Sequence, residues 1–416
     1  MAQHPFLKSI RPVNLLSFGP NTEEIELRPL NILIGPNGSG KSNLIEIFGL
    51  LSKLPDKDPW STVVQTGGAP EWIWKGKGIG EKEPSLSVTA AADFLIAAHL
   101  LSNPGFIGEN LLSYSIVLRE RSGELLVTSE SFREISRSEE GRISEVNVFE
   151  RTGRTGLVHT EGLEDSPVQL ADLRPDRSVF SMPESMASIT FHHISAFHFA
   201  KQVERFSFYR DWVFGSGSKT RALQPSGFDS YRLAADSINL AQVLKAMRDR
   251  GDQSVFDRLL DLLRKFYEPV KDVDTELLGT YLRIMVKEEG LSSRTPAERL
   301  SDGTLRWLML LIVLLDPAPP PVICIDEPEL GLHPDIIPTL ADLLRDASKR
   351  TQLILTTHSR TLVECFSDDP ESVCVCEKFN GATEIRRLEA DRMKIWLEEY
   401  SLGQLWSSGE IGGNRW

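Results

Sequence analysis

The sequence lacks the features of several large protein classes. Its longest purely apolar run, Trp307 to Leu315, is far shorter than the ~20 residues that span a bilayer. Its first residues do not show the charged-then-apolar pattern of a secretory signal, and 4 cysteines in 416 residues exclude a disulfide-built fold. The sustained heptads of a long coiled coil are also missing. We therefore expect a soluble, cytoplasmic protein without a membrane segment.

An excess of positive charge is absent as well. The chain has 46 Lys and Arg against 59 Asp and Glu, and its net charge is −13. A dedicated nucleic-acid binder concentrates basic side chains, so this balance argues against that class. Between Arg119 and Arg154, arginines and glutamates are about equally frequent, which favours a solvated mixed-charge surface. A local basic groove is not excluded, so DNA stays an alternative partner.

One specific nucleotide-binding pattern is present. Residues Gly35 to Ser42 spell a P-loop, after the apolar run Leu30 to Ile34 and before a helical segment, Asn43 to Leu51. Backbone N–H groups of such a loop surround phosphate oxygens, its lysine reaches the β- and γ-phosphates, and its last hydroxyl binds Mg²⁺. We therefore expect ATP and Mg²⁺ as ligands. The predicted phosphate-binding residues are Gly35, Asn37, Gly38, Ser39, Gly40, Lys41, Ser42 and Asn43, and Ser42 is also a predicted metal ligand.

Two later strand-like segments end in further catalytic residue types. The run Val322 to Glu327 is an apolar strand that delivers Asp326 and Glu327 at its carboxyl end, where an open α/β sheet binds ligands. In a P-loop protein the first carboxylate supports Mg²⁺ and the second polarises the attacking water. The run Leu353 to Thr357 ends in His358, which we predict to sense the γ-phosphate.

The segment Leu300 to Thr304 narrows the class further. It reads Leu-Ser-Asp-Gly-Thr and precedes a helix expected to begin near Leu305. Ser301 and the free N–H groups of a helix start form an anion site, although a plain helix cap is the simpler interpretation. With the other motifs in order, the segment favours an ABC-type signature, in which Ser301 and Gly303 bind the γ-phosphate held by a facing subunit.

The order of these motifs resembles the RecF-like and OLD-like ATPases of the ABC class, which are related to structural-maintenance ATPase heads. The segments Asn239 to Ala241 and Leu402 to Asn414 also resemble a bacterial subgroup. The resemblance implies an α/β P-loop NTPase fold of the ABC type. It also implies a Q-loop glutamine near the metal, for which Gln65 is the candidate. A surface loop amide is the alternative interpretation of Gln65.

Changes of pattern divide the chain into four parts. Residues 1–85 hold the P-loop, and residues 86–210 show short alternating runs between glycines, which predict an inserted antiparallel β-rich arm. Residues 211–295 change to helical spacing and predict a short helical lobe, in which Ser254 is expected to cap the second of two helices. Residues 296–416 complete the ATPase head and carry the C-terminal tail.

Two functional interpretations fit this organisation. A transporter subunit carries its signature much nearer to the P-loop than Ser301 lies to Lys41, and a zinc-hook protein needs long heptads and a Cys-x-x-Cys pair. In the first interpretation, the chain is an ATP-dependent homodimer or higher oligomer in bacterial DNA-damage or antiphage defence. It would pass its state to a separate effector, a nuclease or a toxin. In the second, it is a DNA-binding recombinational repair ATPase. The neutral charge of the arm favours the first.

The tail also has two interpretations. It carries Trp396, Trp406 and Trp416 among glycines. Tryptophan suits an interface anchor, because one side chain buries much apolar area and still offers an N–H donor. The tail would then contact the effector. Alternatively, it packs on its own head.

Overall fold

The computed structural model of the chain describes residues 6–76, 83–91, 110–137, 143–159, 166–210, 212–227, 232–250 and 252–413. Its strands are β1 (Leu7–Val13), β2 (Ile25–Glu26), β3 (Leu30–Ile34), β4 (Ser85–Ala91), β5 (Asn110–Arg121), β6 (Glu124–Arg137), β7 (Ile143–Thr152), β8 (Thr155–Val158), β9 (Val168–Leu170), β10 (Ser207–Tyr209), β11 (Gln224–Pro225), β12 (Val270–Leu278), β13 (Tyr281–Glu288), β14 (Thr295–Pro296), β15 (Val322–Asp326), β16 (Gln352–Thr356), β17 (Val373–Phe379) and β18 (Ala382–Arg387).

The α-helices are α1 (Lys41–Lys53), α2 (Ser61–Gln65), α3 (Ala69–Trp72), α4 (Pro183–His192), α5 (Ile194–Val203), α6 (Leu240–Arg250), α7 (Gln253–Phe266), α8 (Asp302–Leu314), α9 (Ile337–Ala347), α10 (Arg360–Glu364), α11 (Ala390–Leu397) and α12 (Leu402–Ser408). Within the described ranges, none of these helices is both long and apolar enough to cross a bilayer.

A six-stranded sheet carries the P-loop. Its strand order is β10, β15, β16, β3, β17, β18, and every neighbouring pair is parallel except β17 with β18. All residues of β3 and β16 are buried, as in a parallel sheet that is covered on both faces. Since the parallel strands point the same way, the carboxyl ends of β3, β15 and β16 meet at one edge of the sheet.

The two faces of this sheet pack on different layers. Along β3, Ile32 and Ile34 belong to a core that includes α8 and α9. Leu33, between them, belongs to a second core that includes α1 and a large antiparallel sheet. This alternation follows from the two-residue period of a strand. It fixes α1 and α8 on opposite faces of the strand that leads into the P-loop.

The antiparallel sheet has the order β2, β1, β4, β5, β6, β7, β8, β9. The antiparallel structure predicted for residues 86–210 is thus present in β4 to β9. One sheet spans the division drawn at residue 85, because β1 pairs with β4. Leu86, Tyr114 and Phe132 of this sheet share a core with Leu44 and Phe48 of α1. The insertion is therefore a layer of the head that packs on the P-loop helix.

The predicted helical lobe contains α6 and α7 and also the β12–β13 hairpin, which the helical spacing did not predict. Asp252 and not Ser254 caps α7, and its carboxylate accepts a hydrogen bond from the Ser254 N–H at 2.8 Å. The lobe packs directly on α8, since Trp307 Nε1 donates to the Leu262 carbonyl at 2.9 Å. The helix that carries the signature is thereby fixed to the lobe.

The tail folds back onto its own head. Trp406 is buried, and its Nε1 donates to the carbonyl of Gly413 at 3.0 Å. Trp396 is 46% exposed. The other buried apolar residues of this segment are Leu402, Leu405 and Ile411. Asn414 and Trp416 lie outside the described residues. For Trp406, packing on the head is the interpretation that the structure supports.

Candidate nucleotide site

The P-loop lies between β3 and α1, and α1 begins at Lys41, two residues before the predicted start. The Nζ atom of Lys41 donates to the carbonyls of Gly35 at 2.7 Å and Pro36 at 3.1 Å. Burial lowers the pKa of Lys41, and the nearby carboxylates of Asp326 and Glu327 oppose this shift. Because β3, β16 and β15 are parallel neighbours, Lys41 lies at the same sheet edge as these carboxylates.

The loop is shaped by β18 and by the turn after β1. Gly40 has φ 104°, and a Cβ there would lie 2.1 Å from Thr383 Oγ1. Thr383 Oγ1 donates to the carbonyl of Ser39 at 2.8 Å and lies 2.7 Å from the Ser17 hydroxyl oxygen. The buried Ser39 Oγ has no hydrogen-bond partner among the described residues. An orphaned hydroxyl in an N–H-rich loop fits a phosphate ligand.

The remaining predicted phosphate-binding residues lie in the same loop and in the first turn of α1. Asn37 and Gly38 are exposed at the tip of the loop, whereas Ser42 and Asn43 are half-buried. The structure thus places this whole set beside Lys41. Their contacts with a nucleotide stay predictions.

Asp326 and Glu327 lie at the carboxyl end of β15. Thr356 Oγ1, from the neighbouring strand β16, donates to Asp326 Oδ1. Glu327 has φ 46°, and its N–H donates to the carbonyl of Thr356 at 3.1 Å. A left-handed backbone is uncommon for a residue with a side chain and persists where the surroundings fix it. Here β16 fixes both carboxylate-bearing residues.

His358 follows β16 and faces the same carboxylates. Its Nε2 lies 3.8 Å from Glu327 Oε1. Its backbone N–H and Thr357 Oγ1 both donate to Glu329 Oε1, at 3.3 and 2.5 Å. Burial, followed by the charge of Lys41, lowers the pKa of His358, and burial raises the pKa of Glu329. The three predicted catalytic residues, Lys41, Glu327 and His358, therefore meet at one edge of the sheet.

Two arginines that the motifs did not predict lie at this edge. Arg210 follows β10, and its Nε lies 4.0 Å from Asp326 Oδ2. Its terminal nitrogens lie 3.4 Å from Glu46 Oε1 on α1. Arg306, on α8, donates from Nη2 to the carbonyl of Glu327 at 3.1 Å. Neither residue belongs to a recognisable motif, and β10 has only 3 residues, too few for a clear alternation in the sequence.

Ser301 is the N-cap of α8, which begins at Asp302 and not near Leu305. Its Oγ accepts a hydrogen bond from the Thr304 N–H at 3.0 Å. A Cβ on Gly303 would lie 3.0 Å from the carbonyl of Gly331, so glycine permits a close approach to the loop after β15. Ser301 is exposed. The signature is thus a capped helix start at an exposed serine, whose Oγ contacts both the N–H and the Oγ1 of Thr304.

A cavity of about 430 Å³ opens beside Ser301. Its lining comes from the end of α7, from β13 and β14, and from the approach to α8. The lining residues are Phe266, Tyr267, Glu288, Thr295, Arg299, Leu300, Ser301 and Thr304. The cavity beside Ser301 therefore lies between the start of α8 and the helical lobe.

Gln65 is the last residue of α2, and its side chain is exposed. The same helix is anchored through Val63, which packs in the core that contains α1. The proposed contact of Gln65 with the metal stays a prediction.

The residues at the sheet edge fit Mg²⁺ bound together with a triphosphate. Mg²⁺ usually takes one or two carboxylates and completes its shell with phosphate oxygens and waters. Asp326 and the Ser42 hydroxyl are the corresponding residues here. In the part of the chain that the structure describes, no group of three or more His, Cys, Asp or Glu residues could hold a metal ion. The ion would therefore depend on the triphosphate for most of its ligands.

Comparison with known families matches one family model to the chain. The sequence model of the family described as "AAA domain, putative AbiEii toxin, Type IV TA system" matches residues 30–85 and 187–364. These segments make up more than half of the chain and contain the P-loop, the signature, Asp326, Glu327 and His358. The chain belongs to this family. A search of curated proteins found no match.

Solved structures show the same fold at low sequence identity. An Smc head bound to the C-winged helix domain of ScpA is 14% identical, with a TM-score of 0.54 over 94% of this chain and 100% of that chain. An Smc head domain with an extended coiled coil, bound to the C-terminal domain of ScpA and derived from Pyrococcus furiosus, is 13% identical. Its TM-score is 0.53, over 95% of this chain and 99% of that chain. The predicted α/β P-loop fold of the ABC type is confirmed.

Proposed function

We propose that this member of the AAA family is an ATP-driven switch, which binds ATP with Mg²⁺, hydrolyses it slowly and dimerises on it. One observation carries the proposal: Lys41, Asp326, Glu327 and His358 converge at one sheet edge. Phosphoryl transfer needs a cation on the phosphates, a metal-supporting carboxylate and a residue that positions water. Each role has its own residue here.

The chain's own residues divide the work of hydrolysis. Lys41 exchanges its contacts with Gly35 and Pro36 for the phosphates. Asp326 and Ser42 hold Mg²⁺, which neutralises phosphate charge when bound. Glu327, fixed by β16, would accept the proton of the attacking water, and His358, 3.8 Å from Glu327, would contact the γ-phosphate. Slow turnover is expected from a switch, because the ATP-bound state must last long enough to act.

The signature supports dimerisation. Ser301 and the N–H groups at the start of α8 form a site for an anion. The cavity beside Ser301 is lined from the helical lobe and not from the P-loop. The phosphate that Ser301 and Gly303 bind would therefore belong to a second copy. A two-fold arrangement would enclose two nucleotides between two heads.

The switch would act on a separate effector, a nuclease or a toxin, in bacterial defence. The family's description, which includes a toxin and a type IV TA system, supports a defence role. Ion pairs in the antiparallel sheet also favour this interpretation over DNA binding. Arg119 pairs with Glu83, and Arg133 with Glu145 at 2.8 Å. These arginines are already neutralised, whereas phosphate binding needs available positive charge.

Sedimentation with and without ATP and Mg²⁺ tests the dimer. Glu327→Gln protein should sediment as a dimer when ATP is present, because a ligand that bridges two chains stabilises their association by mass action. Lys41→Ala protein should not respond. Mixing Lys41→Ala with Ser301→Arg subunits should restore hydrolysis at one of two composite sites. If both variants are folded and their mixture does not hydrolyse ATP, the hypothesis of a site shared between two subunits is contradicted.

Binding of a labelled DNA duplex distinguishes the proposed switch from a DNA-binding repair ATPase. Fluorescence anisotropy at physiological salt should show no saturable, ATP-dependent binding. Such binding, lost in Lys41→Ala protein, would favour the repair interpretation instead.

A further inference from the structure

We infer that Arg306 is a positioning residue that holds the water-activating Glu327 and connects it to the signature helix of the same chain. Arg306 lies on α8, which begins immediately after Ser301. Its Nη2 donates to the Glu327 carbonyl at 3.1 Å. The inference rests on the proposed function, because its consequence is the rate of ATP hydrolysis.

The backbone of Glu327 depends on contacts at both of its peptide groups. Its φ of 46° lies in the left-handed region, which residues with side chains rarely adopt. On one side, its N–H donates to the carbonyl of Thr356 at 3.1 Å and to Thr356 Oγ1 at 3.2 Å. On the other side, its carbonyl accepts hydrogen bonds from Arg306 Nη2 and from the Leu330 N–H, both at 3.1 Å. Since these bonds fix the peptide planes that flank Glu327, they set the direction of its carboxylate.

Arg306 is itself held by aromatic packing. Its guanidinium carbon lies 5.7 Å from the ring centroids of both Trp212 and Phe214, and the residue is 7% exposed. Burial lowers the pKa of Arg306, and the carboxylates of Glu329 and Glu327 oppose this shift. The group still stays charged, because guanidinium pKa values lie far above neutrality. A buried guanidinium packed against two adjoining rings has little freedom, so its position is coupled to that of α8.

The same aromatic segment is tied to the signature. Arg221 donates from Nε to the carbonyl of Phe214 and from Nη1 to the carbonyl of Leu300, both at 2.6 Å. Phe214 therefore contacts Arg306 through its ring and the residue before Ser301 through Arg221. A phosphate bound at Ser301 would contact the start of α8, and a shift of this helix would move Arg306 and, through it, the backbone of Glu327. The nucleotide that a second copy presents would thus adjust the catalytic carboxylate of this chain's own site.

Steady-state hydrolysis of ATP by Arg306→Met protein tests the inference. We expect kcat to fall about 10- to 100-fold, because small misplacements of a reacting group cost up to about 100-fold. The KM for ATP should stay within about twofold, since the P-loop is unchanged. Arg306→Lys keeps the charge without the planar fork and should recover part of the loss.

Trp212→Leu removes one ring beside the guanidinium and should lower kcat in the same way. Combined with Arg306→Met, it should cause no further loss, because both changes break one unit. If Arg306→Met protein does not fold by circular dichroism, the Trp212→Leu protein decides, and an unchanged kcat there overturns the inference.

Arg345→Met is the matched control. Arg345 packs 4.5 Å from the ring centroid of Phe366 and donates to the carbonyl of Cys365, outside the nucleotide site. Its loss should leave kcat unchanged. An equal fall in kcat for both variants, or a raised KM without a change in kcat for Arg306→Met, overturns the inference.

Hydrogen exchange separates this inference from the proposed function. In Arg306→Met protein, backbone amides of residues 327–332 should exchange faster than in the wild type, and in Arg345→Met protein they should not. If the exchange rates of these amides are unchanged in Arg306→Met protein, the positioning role of Arg306 is overturned, whether or not the protein hydrolyses ATP. Faster exchange in a protein whose wild type does not hydrolyse ATP refutes the proposed function and supports the positioning contact.

Discussion

The Nε2 atom of His358 lies 3.8 Å from Oε1 of Glu327. Burial, followed by the charge of Lys41, lowers the pKa of His358 below its ordinary value of 6.5, while Glu327 and Asp326 oppose the shift. The imidazole is therefore neutral at pH 7. A neutral ring leaves the Glu327 carboxylate free to accept a proton from water. A cationic ring would form an ion pair with that carboxylate and make it a weaker base.

We expect this arrangement to give an acid limb in the pH profile of kcat/KM, which reports the free enzyme. Because burial and the charge of Lys41 lower the pKa of His358, the ring gains its proton at a lower pH than an ordinary histidine does. Activity should therefore change little near neutral pH and should fall in acidic solution. In His358→Gln protein the remaining activity should lack this limb. If the acid limb persists unchanged in His358→Gln protein, a group other than His358 causes it.

Lys41→Ala and Glu327→Gln should separate ATP binding from turnover. Lys41→Ala should abolish binding of a fluorescent ATP analogue, because Lys41 is the cation of the loop. Glu327→Gln should bind the analogue normally and release phosphate about 100- to 10,000-fold more slowly, the usual range for loss of a general base. Glu399→Gln, an exposed carboxylate on the tail, is the control. Undiminished turnover in Glu327→Gln protein would remove Glu327 from the role of base.

Arg221→Met should weaken the ATP-driven dimer without affecting ATP binding to the P-loop. Arg221 is buried, donates to the Leu300 carbonyl at 2.6 Å and forms an ion pair with Asp302, so its loss should loosen the backbone around Ser301. In a Glu327→Gln background, sedimentation should require about tenfold more ATP for half-dimerisation.

Arg248→Met is the matched control for this experiment. Arg248 also donates to a backbone carbonyl in the helical lobe, that of Val273 at 2.6 Å. Its replacement should leave the dimer intact. Equal weakening by both changes would indicate a general loss of stability rather than a role at the signature.

Trp406→Ala should lower the free energy of unfolding by about 3–5 kcal/mol, because a large buried side chain is removed. It should also weaken ATP binding. Its hydrogen-bond partner Gly413 lies against the P-loop, since a Cβ on Gly413 would be 3.5 Å from the Cα of Gly35. Urea unfolding and ATP titration measure the two effects. Trp396→Ala, at a more exposed site, should cost less than about 1 kcal/mol. Equal costs would show that Trp406 is not a core residue.

The sequence predicted the strands of the site well because their signals are local. An apolar run followed by glycines gave β3 as Leu30–Ile34, with the bounds that the structure has. The strand predicted as Val322–Glu327 ends one residue earlier in the structure, at Asp326. The cap of α7 was wrong, because Asp252 and Ser254 are both good capping residues and the sequence cannot show which side chain accepts the bond.

The arginines were missed for a different reason. Arg210 reaches Asp326 only because the short strand β10 pairs with β15, and Arg306 reaches Glu327 only because α8 packs over the end of that strand. Such contacts depend on tertiary packing between distant segments. No spacing rule within one segment predicts these contacts. The signature, which ends two residues before Arg306, was recognisable from its sequence alone.

The place of β3 in the sheet has a consequence for synthesis on the ribosome. β3 lies between β16 and β17, and Asn31 in β3 donates to the carbonyl of Leu353, 322 positions later in the chain. At about 5–20 residues per second, a ribosome needs on the order of 20–60 s to make that interval. During this time an apolar strand is without both of its neighbours. Nascent chains of this protein should therefore depend on chaperones until translation is nearly complete.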